Sequence, residues 1–159
     1  MSSFPVYTLR HSATVSTAIS VLQIKAGANG PVELLRAVLS QSSSTTSAQA
    51  IAQLVRCSAG ATVTTAVAGT HLFKNNPVWP TSDLALGTTS TGVIATSEGT
   101  ETDVILSQPF NILTGFEWLP TPEEQIIVPV NGFIKLKFGA APTSATWNAR
   151  LVFRELRGG

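Results

Sequence analysis

The chain has 159 residues, which fits a single domain spanning 1–159, and a domain of that length buries roughly 68–70% of the surface its unfolded chain exposes. A net charge of +1 leaves no electrostatic footprint for nucleic acid or an anionic membrane, so neither is an expected partner. Only 12% of the residues are charged, against about 25% in ordinary globular domains. Ser and Thr fill much of the space that Lys and Glu usually occupy, which favours strands because Thr is β-branched and Lys and Glu suit exposed helices. A surface so thinly charged suits cover by a partner and, equally, a plain neutral soluble domain.

In chain order, Met1 to Ser12 lacks a basic segment followed by an apolar one, so no secretory leader is expected and the product should stay, at first, in the cytoplasm. No stretch reaches the roughly 18 apolar residues of a membrane-spanning helix. Short runs rich in Val, Ile, Thr and aromatics predict strands at Val6–His11, Ala18–Ala26, Val32–Ser40, Ala50–Cys57, Thr62–Val67, Gly92–Ser97, Asp103–Leu106 and Phe110–Trp118. Turn signals divide them, among them Asn29-Gly30-Pro31, Asn75-Asn76-Pro77, Glu98-Gly99 and Asn131-Gly132. Val32 to Leu39 and Ala48 to Val55 also carry good helix formers, and composition leaves either form open there. Ser42 to Ser47 reads as a loop.

The C-terminal third is the most regular. Gln125–Val130 and Gly132–Phe138, joined at Asn131-Gly132, read as a hairpin, with Pro129 restricting the first run to an edge or a bulge. Ile134, Leu136 and Phe138 alternate with Phe133, Lys135 and Lys137. Trp147, Ala149, Leu151 and Phe153 alternate with Asn148, Arg150, Val152 and Arg154, the pattern of a half-buried strand. Glu155 then falls on the apolar face, so the strand is expected to leave the core there.

Chemistry is harder to find. Glu117-Trp118-Leu119-Pro120-Thr121-Pro122-Glu123-Glu124 gathers three carboxylates, the residue type of glycosidases and other general acid/base catalysts. Neighbouring Glu123 and Glu124 point apart on a strand or a helix, so only Glu117 with one of them could flank a bond. The two prolines favour extended backbone before each, which predicts a stiff exposed bend with Trp118 and Leu119 covering the core edge. His11 and His71 lack a second His or Cys at ligand spacing, so no zinc site is expected. Cys57 is alone and reads as a small hydrophobe. No phosphate-binding glycine loop, nucleophile elbow or calcium loop occurs, and no cofactor is expected. Trp79, between prolines in Pro77-Val78-Trp79-Pro80, is either a loop anchor or a contact for another chain. With Asn75, Asn76 and Val78 it forms the candidate interface.

Two blocks carry a resemblance. The first is Ser16 to Ile24, continuing through Gly30-Pro31-Val32-Glu33-Leu34 to Leu39-Ser40-Gln41-Ser42-Ser43. The second is Phe110 to Glu124, followed by Ala140-Ala141-Pro142 and the ending Leu151 to Leu156. They resemble small tailed-phage and prophage virion proteins of the capsid cement, or decoration, type, with a jelly-roll fold. The match covers about half of the chain, and residues 59–102 fall outside it. The resemblance implies an all-β jelly-roll sandwich of about eight or more antiparallel strands. It also implies a trimer on the outer capsid surface, bound to the major capsid protein, with no catalytic residues. Two alternatives use the same residues differently: a head or tail fibre or receptor-binding module that meets a glycan through Trp79, and a cell-wall hydrolase that uses Glu117 with Glu123 or Glu124.

Overall fold

Strands come in the order β1 (Val6–Val15), β2 (Ser20–Lys25), β3 (Val32–Gln41), β4 (Gln49–Ala59), β5 (Thr62–Ala66), β6 (Leu72–Lys74), β7 (Gly92–Ser97), β8 (Thr100–Asn111), β9 (Phe116–Trp118), β10 (Ile126–Val128), β11 (Phe133–Phe138) and β12 (Ala145–Glu155). They are taken from a computed structural model that describes residues 4–66 and 71–156. Val67, the predicted end of the fifth strand, lies outside the described residues. Two antiparallel six-stranded sheets result. One runs β10-β3-β12-β1-β6, with β9 also paired to β3; the other runs β5-β7-β2-β11-β4-β8.

Alternation sets the faces. Along β12 every second residue, Ala145 to Glu155, is buried and the residues between are half-buried. Its partner β1 turns Tyr7 and Leu9 to the same side. From the opposite sheet, Ile24, Leu54, Ile134, Leu136 and Phe138 face them, all without exposed surface. Trp147 joins the layers: its ring lies 4.8 Å from that of Phe138 and 6.0 Å from that of Phe110, both edge-on, and its indole N–H donates to Thr143 O at 3.2 Å. The polar tip of the largest side chain is thus satisfied while its body fills the core.

From β1 to β4 and from β10 to β12 the chain alternates between the sheets, while β4 and β8 pair within one. Set aside β5, β6 and β7, which lie between β4 and β8, and each sheet keeps four strand positions. Their orders are β9/β10-β3-β12-β1 and β2-β11-β4-β8. That interleaving of two Greek keys is a jelly roll. The insertion widens both sheets, β6 flanking β1 and β7 with β5 flanking β2.

Val32–Leu39 and Ala50–Val55, predicted as strands with helix left open on composition, are strands, because each supplies alternate apolar side chains to a sheet interior. Other expectations need correction. Asn131-Gly132 does not close a hairpin: β10 pairs with β3 in one sheet and β11 with β2 and β4 in the other. The turn carries the chain across the sandwich. Asn131 takes φ +60°, Gly132 N–H donates to Pro129 O at 2.8 Å, and a Cβ on Gly132 would sit 2.9 Å from the Pro129 ring. The strands predicted at Asp103–Leu106 and Phe110–Trp118 have other bounds: β8 runs unbroken from Thr100 to Asn111, through Pro109. This strand is an edge paired with β4, where a missing N–H costs no ladder bond. The chain breaks instead at Gly115, φ +77°. Glu155 does not mark an exit from the core. It is 2% exposed and ends the strand as an acceptor, taking Asp83 N–H at 2.8 Å and the Ser82 hydroxyl.

Candidate functional site

The acidic bend comes first. Trp118 pairs with Ala37 and Ile126 with Leu34, so Leu119–Gln125 stand opposite only Leu35 and Arg36. β9 and β10 are therefore one edge strand interrupted by a protrusion. Pro122–Glu124 form a single turn of 3-10 helix at its tip, and Glu124 N–H donates to Thr121 O at 3.0 Å. Glu123 and Glu124 are exposed. Glu117 is drawn the other way, into an ion pair with Arg36 on the neighbouring strand. The three carboxylates do not converge on a common point. Trp118 is half-buried against the core as expected, but Leu119 is 67% exposed and covers nothing, because the chain has already left the sheet.

The loop after β6 brings together all four candidate interface residues. Asn75 N–H donates to Val6 O at 3.1 Å, and the Thr8 hydroxyl donates to the Asn75 side-chain oxygen at 2.8 Å. The Asn76 side-chain oxygen accepts Val78 N–H at 3.1 Å, an Asx turn, while Trp79 N–H donates to Asn76 O. The Tyr7 hydroxyl holds the far side at Pro80 O, 2.8 Å. β1 thus clamps both ends of the loop, and Val78 stands at the tip with 84% of its surface exposed. Trp79 is half-buried.

The insertion is fastened by charge. Lys135, on the outer face of β11, has no exposed side-chain surface. Its ammonium donates to Glu98 O and Glu98 Oε2 at 2.8 Å and to Glu101 Oε1 at 3.0 Å; Lys137 reaches Glu101 at 2.7 Å. Ser20 N–H also donates to Glu98, at 2.8 Å. Burial would push both carboxyls up, but the lysines, with Ser20 at Glu98, outweigh it and hold both below the ordinary range. Gln23 completes the fastening through Ala61 N–H and O and Ser90 O. Sequence reading left this cluster undetected: alternation places Lys135 and Lys137 on the solvent side of β11, and no local signal says that residues 97–101 return to cover them.

His11 and His71 also meet. Pairing of β1 with β6 brings their rings to 4.9 Å, edge to face, beside a hollow of about 550 Å³ lined in part by Arg10, Ser40, Asn148 and Arg150. Burial, then the neighbouring His71, lowers the pKa of His11. Among the described residues no group of three or more His, Cys, Asp or Glu is arranged to hold a metal ion.

Fold and surface together define a jelly-roll β-sandwich whose loops and edges carry its distinctive groups. No protein-family profile, curated protein or solved structure matches the chain.

Proposed function

We propose that the protein is a virion structural protein of the capsid cement type, which attaches to the outer surface of a tailed-phage head as a trimer and reinforces it. The observation that carries this reading is Val78: an aliphatic side chain 84% exposed, on a loop whose both ends are hydrogen-bonded to β1. A pre-ordered apolar tip loses little conformational entropy on docking, which favours attachment. Leu113, Leu119, Ile127 and Val130 add exposed apolar surface along the run that holds β9 and β10. Single exposed hydrophobes are common; here they lie at the margins of a thinly charged sandwich. The sequence resemblance supports the same role.

The mechanism is adhesive. Each copy bridges neighbouring major capsid protein subunits, and binding to the assembled lattice but not to free subunits stabilises the lattice by mass action. Cryo-microscopy of intact particles tests this. Density for the sandwich at the local threefold positions of the head is the expected result. Particles carrying the protein only in the tail, or lacking it, would overturn the reading.

A further inference from the structure

The outer face of the β9/β10-β3-β12-β1 sheet carries four arginines, Arg10, Arg36, Arg150 and Arg154. Two are neutralised: Arg36 by Glu117 and Arg154 by Glu33. The other two are not. Arg10 and Arg150 are direct cross-strand partners, and neither forms an ion pair among the described residues. Like charges set opposite each other on antiparallel strands, Cβ atoms roughly 5 Å apart, destabilise a sheet. The Arg10 guanidinium lies over the Phe73 ring, 4.6 Å from its centroid, a contact that orients the group without cancelling its charge.

Both arginines line the hollow of about 550 Å³. Ser12, Ser40 and Asn148 contribute hydroxyl and amide groups to its wall, and His11 and His71 lie at its margin. The Ser12 hydroxyl already donates to the Asn148 side-chain oxygen, which leaves the Asn148 amide N–H₂ without a side-chain partner among the described residues. The wall is therefore rich in donors, and no carboxylate lines it.

We propose that this hollow binds a tetrahedral oxyanion, a sulfate or phosphate group, between the guanidinium groups of Arg10 and Arg150, with Ser40 and Asn148 as further donors. Planar guanidiniums bind such oxygens bidentately, and two of them match a dianion in charge. The hollow is larger than one such group requires and falls in the range of small-molecule sites, so the oxyanion fits as a monoester on a sugar-sized carrier. The His11 imidazole adds a pH dependence. Burial, then His71, favours the neutral form of His11. As pH falls, an imidazolium there joins Arg10 on β1, His71 beside β6 and Arg150 on β12, and a bound dianion offsets that charge; β3 contributes only Val38 and Ser40 to the lining.

Sulfate, whose charge is constant between pH 5.5 and 8, is the probe. Titration calorimetry and amide chemical shifts are followed at ionic strength held constant with sodium chloride. Shifts should centre on Arg10, His11, Ser40, His71, Asn148 and Arg150, with tighter binding at pH 5.5. Glucose 6-phosphate against inorganic phosphate at pH 8, where both are mainly dianions, is the second arm: tighter binding than free phosphate assigns the site to the ester, weaker binding to the free ion. Arg150→Ala should weaken binding about tenfold. Asn148→Asp preserves shape and the acceptor for Ser12, places a carboxylate in the hollow, and should abolish the response in a folded protein. Sulfate shifts no larger than those from chloride, or unchanged affinity in both variants, would overturn the proposal.

Discussion

The Lys135 ammonium lies 2.8 Å from the Glu98 carboxylate, with no part of the lysine side chain reaching solvent. The pair holds the return of the insertion against the face of β11. Removing one partner of a buried pair leaves the other charge uncompensated, at about 3–5 kcal/mol. Glu98 and Glu101 keep 29% and 30% of their side-chain surface, so some charge can still be hydrated. Lys135→Met should therefore cost about 3 kcal/mol, the lower end of that range, on chemical denaturation.

The same cluster sets a pH window. The folded-state carboxyls of Glu98 and Glu101 lie below their ordinary 4.5, because the lysines overcome the opposing effect of burial. Their contribution is complete above pH 4.5 and is lost as pH falls through the folded values. Burial opposes the Lys135 ammonium, but hydrogen bonds to Glu98 and Glu101 outweigh it and raise the group above 10.5. Its contribution is complete below pH 10.5 and is lost as pH rises through the folded value. Thermal melts from pH 2 to 7 should show the acid loss in the native chain and less of it in Glu98→Gln/Glu101→Gln. Superimposable pH profiles would remove the cluster from the account.

Glu155→Gln probes a second buried carboxylate. The Ser82 hydroxyl and Asp83 N–H both donate to Glu155 Oε1, so the loop before Leu84 is tied to the end of β12. Gln keeps one carbonyl acceptor but loses the charge assistance, worth about 1–2 kcal/mol. Ala leaves both donors unmatched and should cost more. By contrast, Glu123→Gln and Glu124→Gln should lie within about 0.5 kcal/mol of the native chain, as exposed sites do. Full retention of particle assembly by both variants is also expected, and its loss would return the bend to consideration as a site.

What the sequence disclosed follows the range of each signal. Trp147, Leu151, Phe153, Ile134, Leu136 and Phe138 were all legible as inner-face residues, because the alternation of apolar and polar side chains is a local signal. Phe153 is fully buried and stacks 5.7 Å from Tyr7, so Phe153→Ala should cost about 3–5 kcal/mol. Pairing was less legible. Asn131-Gly132 has hairpin chemistry, yet the chain changes sheets there; the choice depends on whether β3 or β11 receives Ile126 and Val128, which lies outside the local sequence. The approach of His11 to His71 and of Lys135 to Glu98 left no trace in the sequence, since each requires strands far apart in the chain to be placed first.

Attachment through Val78 and Trp79 gives the sharpest test of the proposed role. Closed rotational symmetry is the usual outcome for a homo-oligomer, and a trimer matches the local threefold positions of an icosahedral lattice. Three modest contacts on one trimer act together, so a small loss at each becomes a large loss in occupancy. Val78 is almost wholly exposed, so Val78→Asp should leave the fold within about 0.5 kcal/mol of native stability while placing a charge at the tip of the loop. Trp79→Ala removes a half-buried ring; it should destabilise the loop somewhat and weaken attachment as well. Light scattering on the purified protein reports the trimer, and quantitative occupancy on particles reports attachment. The expected pattern is reduced occupancy for both variants, with Val78→Asp retaining the native melting temperature. Native occupancy of Val78→Asp would remove this loop from the interface, and a strict monomer at high concentration that is also absent from particles would end the cement reading.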